Sequence, residues 1–139
     1  MNQNNTLDEV ANAIRSEIPT MEIILSKSEM KEFGSDYTED LYFPPGMVCF
    51  PETSDQVSQI VKICNRLHFP VYTRGAGTGL SGACLPVMDG LVLSTKKLNR
   101  ILDIDTKNLT VTVESGVINA SFKEAGEAVG LYEPPDPAS

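Results

Sequence analysis

The stretch from Val71 to Gly82, Val-Tyr-Thr-Arg-Gly-Ala-Gly-Thr-Gly-Leu-Ser-Gly, constrains this chain more than any other. Three strand-compatible residues run into Arg74, and Gly75, Gly77, Gly79 and Gly82 then fall within eight positions. Glycine lacks a Cβ, so such a loop can turn through φ > 0 and let backbone approach a ligand closely. Its successive N–H groups can converge on an anion. The expectation is a phosphate cradle at the end of a buried strand. The alternative is a wide turn that holds nothing.

The surrounding sequence supplies a frame for that loop. Met47-Val48-Cys49-Phe50 is apolar without alternation and stops at Pro51, as a strand buried on both faces does. Thr53-Ser54-Asp55-Gln56 has the form of a capping box, and Val57, Ile60, Val61, Cys64 and Leu67 then follow helical spacing. Phe69-Pro70 ends that helix and Val71 begins the next strand. Strand, helix and strand at this spacing predict a βαβ unit with parallel strands and a right-handed crossover. The glycine loop then leaves the carboxyl end of a parallel strand, where ligands of open α/β sheets gather.

Upstream, Thr6-Leu7-Asp8-Glu9 predicts a helix over about residues 7–18, with Leu7, Val10, Ala11, Ile14 and Ile18 on one stripe. Ser26-Lys27-Ser28-Glu29 repeats the capping pattern and predicts a short helix carrying Met30 and Phe33, stopped by Gly34. Both helices read as peripheral. Residues 36–46 read as a loop rich in acids and aromatics. Downstream, residues 90–94 read as a third buried strand. Residues 101–105 and 109–114 alternate with period two and predict an antiparallel hairpin with one wet face. A last helix is expected from an Asn119 N-cap to Val129, with Gly130 at C′.

Charge and cysteine content exclude several functions. The net charge is −8, and residues 1–60, with 11 acids and 3 bases, carry all of it. An acidic chain lacks the basic footprint of a nucleic-acid binder. Cys49, Cys64 and Cys84 show no zinc spacing and read as reduced packing residues, so no metal site is expected. The polar start at Asn2 to Asn5 argues against a signal peptide, and no apolar run approaches the roughly 18 residues of a membrane span. A cytoplasmic protein is the expectation. His68, the sole histidine, falls near a helix end and reads as a surface residue.

Two familiar phosphate motifs fail in context. Gly77 to Gly82 satisfies G-x-G-x-x-G, and Asp103 lies about twenty residues on. That fingerprint must open a helix, yet Ala83-Cys84-Leu85 runs into Pro86 and then Asp89-Gly90. The P-loop pattern fails because no Lys-Ser or Lys-Thr follows Gly82. What remains is a strand-to-strand loop that binds by its own N–H groups. Each such bond to a charged oxygen is worth roughly 1.5–3 kcal/mol.

Arg74 to Gly82 resembles the pyrophosphate loop of the FAD-binding domain shared by vanillyl-alcohol oxidase and p-cresol methylhydroxylase (the PCMH type). The chain is most similar to the glycolate oxidase FAD subunit and D-lactate dehydrogenase branch. Leu93-Ser94, the run Leu98 to Asp105, Val113 to Val117 and Gly130 to Ser139 carry the same resemblance. The resemblance implies an α+β fold, the N-terminal half of that FAD-binding domain. It divides the chain into a helical extension and loop over 1–46 and a flavin-binding subdomain over 47–139. It implies non-covalent FAD held by Arg74, Gly75, Ala76, Gly77, Thr78, Gly79, Leu80, Ser81 and Gly82, with Pro135, Asp136 and Ser139 passing near the flavin. Arg74 is left open between pairing with phosphate and bracing the loop against an acid.

The implied activity of a full-length enzyme is oxidation of a small D-2-hydroxy acid, of glycolate or D-lactate type, to a 2-oxo acid. Such an enzyme could sit peripherally at the inner membrane. Its catalytic histidines and substrate-holding arginines belong to segments beyond those matched here, so no catalytic residue is assigned. The 139-residue chain alone is expected to be inactive, to retain FAD weakly or not at all, and to self-associate through an uncovered apolar face. In a full-length enzyme Gly77→Val and Gly79→Val are expected to abolish FAD binding, through resistance to φ > 0 and blocked approach. The alternatives are a stand-alone nucleotide- or partner-binding module, or another branch of the superfamily such as a sugar-nucleotide reductase.

Overall fold

The computed structural model describes residues 3–38 and 40–132, with side chains from residue 7 onward. The architecture is α+β. In chain order the regular elements are α1 (Gln3–Glu17), β1 (Glu22–Ile24), β2 (Met47–Phe50), α2 (Ser54–Arg66), β3 (Val71–Arg74), β4 (Leu91–Ser94), β5 (Ile101–Asp105), β6 (Thr110–Val113) and α3 (Asn119–Glu127). Short 3-10 turns cover Lys31–Gly34 and Thr95–Lys97.

One sheet has the order β1-β2-β4-β3. β2 and β3 run parallel, as expected, but they are not neighbours. β4 lies between them and pairs in parallel with both. β1, which sequence patterning did not reveal, closes the far edge antiparallel to β2, with Ile23 opposite Cys49. Parallel neighbours need a crossover of a dozen or more residues. Between β3 and β4 that crossover is residues 75–90, which contain no helix. The glycine loop is its first half.

The central strands β2 and β4 are buried along their length and so read as nearly unbroken apolar runs, whereas β3, expected as a buried strand, is a partly exposed edge strand in which only Arg74 is buried. Met47, Cys49, Leu91 and Leu93 face α1 and α2, meeting Val10, Ile14, Ile60 and Ile63. Val48, Phe50 and Val92 face the other way, onto Met30 and Phe33. This corrects the reading of the first 34 residues as peripheral. Val10 and Ile14 are fully buried, each contributing about 1.5–3 kcal/mol by burial. The segment carrying Met30 and Phe33 covers the sheet's second face. It is a turn and a 3-10 helix rather than an α-helix. Its N-cap, Met30, makes no side-chain cap bond, and the Ser26 hydroxyl instead meets that of Ser28 at 2.9 Å.

Helix ends follow local chemistry. At α2 the Thr53 hydroxyl accepts from the Gln56 amide at 3.2 Å, while the Gln56 side chain accepts from the Glu52 amide rather than that of Thr53. The far end of α2 turns through His68 at φ 53°, with Phe69 N–H donating to the Cys64 carbonyl. His68 is therefore an exposed helix-terminating residue. α3 begins after Ile118, not Asn119, and Ile118 offers no side-chain cap. It ends at Glu127, two residues before the expected Val129, with Ala128 as C-cap; Gly130, φ 78°, completes the turn that follows, with Leu131 N–H donating to the Gly126 carbonyl. α1 starts at Gln3, earlier than the Thr6 motif suggested.

β5 and β6 form the expected antiparallel hairpin as a separate two-stranded ribbon, with an irregularity between Ile101 and Asp103. Its turn is held by Asp105, whose carboxylate accepts from the amides of Lys107 and Asn108 and the Asn108 side chain. The hairpin is wetter than predicted. Leu102 is 55% exposed and Val113 40%, and Ile118 and Val129 on the following segment are similarly open.

Candidate functional site

The glycine loop leaves the carboxyl end of β3 beside the carboxyl end of β4. Gly77 (φ 76°) and Gly82 (φ 68°) occupy the left-handed region. A side chain at either position would be strained. A Cβ on Gly77 would also lie 2.2 Å from Arg74 Nη2. Gly75 and Gly79 are different. Neither adopts positive φ, and a Cβ at Gly75 meets nothing within 4 Å, while at Gly79 it meets only Asp36 Oδ2 at 4.0 Å. For Gly79, φ > 0 is therefore not the reason for glycine, and open space above the backbone is what the residue provides. The amides of Ala76 to Ser81 donate to no protein group among the described residues. A run of unengaged N–H groups beside two Cβ-free openings fits an anion cradle. Thr78 is half-buried, and Leu80 and Ser81 are exposed on the loop's outer turn.

Arg74 does not reach into that cradle. It is buried, and its Nη1 donates to the Ser35 carbonyl at 2.8 Å and its Nη2 to the Glu32 carbonyl at 3.1 Å. Its guanidinium also lies over the Phe33 ring, 5.7 Å from the centroid. In the structure both terminal nitrogens of Arg74 brace the loop against backbone carbonyls, not against an acid. Gly82 likewise turns its amide inward, donating to Asp36 Oδ2 at 3.1 Å and to the Thr38 hydroxyl at 3.0 Å. The Tyr37 amide donates to the Gly79 carbonyl at 3.1 Å. Residues 32–38, which sequence reading treated as a short helix and an acidic loop, therefore fasten both ends of the glycine loop. Asp36 also accepts from the Thr38 amide. Desolvation pushes its carboxyl up, but the Thr38 and Gly82 hydrogen bonds and the Arg74 charge outweigh that and hold it below the usual carboxylate range.

Beside the loop opens a cleft of about 420 Å³. Arg74, Gly75 and Ala76 form one wall, Ser94, Thr95 and Lys96 at the end of β4 the floor, and Val117, Ile118 and Ser121 at the start of α3 the far wall. Gly116 makes this junction possible. A Cβ there would sit 1.9 Å from the Thr95 carbonyl oxygen, and its amide donates to the Leu98 carbonyl at 2.7 Å. Lys96 brings an exposed cation to the cleft, whereas Lys97 is tied to Glu22 and Glu52. Sequence reading had not assigned Ser94 to Lys96 or Ser121 to a site. Their signal was weak, since it lies at the end of the next strand and in α3. Pro135, Asp136 and Ser139 lie outside the described residues. Among the described residues no cluster of His, Cys, Asp and Glu is placed to hold a metal, and no helix is long and apolar enough to cross a membrane.

Residues 45–139 match the FAD binding domain family. The chain belongs to that family. FAD is its cofactor, and the loop geometry fits the cofactor's diphosphate. Its relatives place this FAD-binding domain in the glycolate oxidase and D-lactate dehydrogenase branch. Glycolate oxidase subunit GlcD of Bacillus subtilis is 42% identical over 107 residues, covering 77% of this chain and 23% of that protein. GlcD of Escherichia coli K12 is 37% identical over 127 residues, covering 91% of this chain and 26% of its own length. A D-lactate dehydrogenase of Archaeoglobus fulgidus is 39% identical over 93 residues, 67% of this chain and 21% of that protein. The chain thus spans about a quarter of the length of the curated relatives it matches. Among solved structures, p-cresol methylhydroxylase superposes with a TM-score of 0.73 at 23% identity, over 92% of this chain and 25% of its own, a likeness of fold. The 4-ethylphenol oxidase of Gulosibacter chungangensis gives 0.76 at 26% identity, over 97% of this chain and 26% of its own.

Proposed function

We propose that this FAD-binding domain supplies the diphosphate-holding part of a flavin-dependent enzyme that oxidises a D-2-hydroxy acid, of glycolate or D-lactate type, to the 2-oxo acid. The observation that carries the first half is the loop itself. Its amides from Ala76 to Ser81 are unengaged among the described residues, and the loop leaves room for a further atom at Gly75 and Gly79. The second half rests on the relatives' names, glycolate oxidase subunit and D-lactate dehydrogenase.

FAD, when bound, supplies the acceptor for the two electrons removed from the substrate carbon. The chain's own residues bind and orient. Amides of Gly75 to Leu80 and the hydroxyls of Thr78 or Ser81 take the diphosphate oxygens, without a covalent link to the flavin. Lys96 at the cleft adds positive charge close to that anion. Arg74 spends its donors on the carbonyls of Ser35 and Glu32 and so holds the strand end from which the loop departs. The substrate's general base and carboxylate clamp belong, on this reading, to the three quarters of the relatives' length that the chain does not span. The chain alone is then expected to bind FAD weakly and not to turn over glycolate or D-lactate.

Titration of the 139-residue protein with FAD and with ADP, followed by flavin fluorescence and calorimetry, tests the binding half. Saturable binding of both, abolished by Gly77→Val, is expected. Turnover of glycolate or D-lactate by the pure chain would overturn the assignment of the catalytic groups elsewhere.

A further inference from the structure

We infer that Asp36 is a positioning residue of the cofactor loop, acting through the amide of Gly82 to set the conformation in which the preceding amides stay open. This deepens the reading of the loop as an FAD cradle and rests on it for its link to the cofactor. Residue 36 precedes the stretch matched by the family, 45–139, so the family match does not assign it a role.

A glycine-rich segment has the most backbone freedom to lose on ordering. Six consecutive amides, Ala76 to Ser81, gain nothing from the described residues to offset that loss. Order must come from the ends. At the entry, Arg74 is clamped by the carbonyls of Ser35 and Glu32. In the middle, Tyr37 N–H donates to the Gly79 carbonyl. At the exit, Gly82 N–H is shared between Asp36 Oδ2 and the Thr38 hydroxyl. All three fasteners come from residues 32–38, and Asp36 is the charged one at the exit. Its two oxygens do different jobs. Oδ1 accepts from Thr38 N–H at 2.8 Å and shapes the strap's own turn, while Oδ2 reaches across to Gly82. Bonds to a carboxylate are the stronger kind. Asp36 also sits within the field of Arg74, without a salt bridge between the two.

The division of labour gives a test that general loss of structure would not mimic. An asparagine side chain has one acceptor oxygen for two amides, so Asp36→Asn can protect one of them and not both. Asp36→Ala protects neither. Amide hydrogen exchange measured by NMR on the 139-residue protein reads this residue by residue. The expected result for Asp36→Ala is roughly tenfold or faster exchange at Gly82 and Thr38, with amides of β2 and β4 unchanged. Asp36→Asn should release only one of the pair. Thr38→Val, which removes the second acceptor alone, should speed Gly82 to a smaller degree, and it serves should the alanine variant not fold. Titration with FAD gives the second readout, with affinity lowered at least tenfold in Asp36→Ala.

Unchanged exchange at Gly82 in all three variants overturns the proposal. So does FAD binding of undiminished affinity in a variant whose Gly82 amide has been released. If the unmodified protein takes up neither FAD nor ADP while Gly82 is still released by Asp36→Ala, the cradle reading fails and Asp36 stands as the loop's fastener.

Discussion

Alanine at Gly77 and alanine at Gly79 should separate what holds the loop from what the loop holds. At Gly77 the new Cβ takes a left-handed backbone, which costs about 1–2 kcal/mol, and overlaps the Arg74 guanidinium at 2.2–2.5 Å. The guanidinium is the far end of a side chain, so it can move, but moving gives up at least one bond to Ser35 or Glu32. That bond, from a buried charged donor, is worth about 1.5–3 kcal/mol. The sum is about 2.5–5 kcal/mol, a large share of a typical domain's 5–15 kcal/mol stability. At Gly79 the Cβ meets open space and φ is not positive, so stability should change by less than about 0.5 kcal/mol. FAD affinity should still fall at least tenfold, about 1.4 kcal/mol, because the methyl stands where the diphosphate approaches. Urea unfolding followed by circular dichroism gives the stabilities, and flavin fluorescence gives the affinities. Equal stability loss at both positions would refute the distinction drawn between them. Undiminished FAD affinity in Gly79→Ala would refute the open face as the binding surface.

Further outcomes follow from the same geometry. His68→Gly should raise stability by about 1 kcal/mol, since His68 ends α2 at φ 53° where glycine pays no Cβ penalty; a lowered urea midpoint would contradict this. Gly116→Ala should cost about 2–4 kcal/mol and loosen α3 from the end of β4, because its Cβ meets backbone that cannot swing away; thermal melts check it. Under native conditions a thiol reagent should label Cys84 alone promptly. Burial pushes Cys49 up to about 12, with a smaller push from neighbouring Cys64, and pushes Cys64 up to about 11, so both react only on unfolding. Asp36 and Asp105 are both held below the usual carboxylate range. The Asp105 shift comes first from the Asn108 side chain, then from the Asn108 and Lys107 amides. Their stabilisation is complete above the unfolded carboxylate value and is lost as pH falls through the lowered one, so stability should be flat near neutrality and drop in acid. Asp105→Asn should shrink that acid-side drop in urea midpoints measured against pH.

Much of the fold was legible because its signals are local. β2 and β4 announce themselves as short apolar runs, β3 by its strand-forming Val-Tyr-Thr, α2 by its Thr53 cap and an apolar stripe from which Val61 drops out, exposed, while Ile63 joins it, and the loop by its glycines. The strand order was not legible. β4 inserts between β2 and β3 by pairings that no local pattern encodes. β1 is three residues long, Glu-Ile-Ile, and becomes a strand only because β2 offers an edge. At the site, the loop could be found but the direction of its donors could not. Arg74 looks the same in sequence whether it faces a phosphate or two carbonyls. Asp36 is one of 11 acids in the first 60 residues, and what distinguishes it is a contact 46 residues away in sequence. Leu102, Val113, Ile118 and Val129 are exposed. That they make one uncovered face, and that the chain self-associates through it, is a proposal that sedimentation at increasing concentration would check.

The central claim is that the backbone of Gly75 to Leu80 takes the diphosphate of FAD. The most direct measurement is an amide NMR titration of the 139-residue protein with FAD, repeated with ADP and with adenosine. The account predicts that FAD and ADP shift the amides of residues 75–80 saturably and that adenosine, which lacks the diphosphate, leaves them in place. Loop amides that stay unmoved by FAD, or that move equally with adenosine, would contradict it.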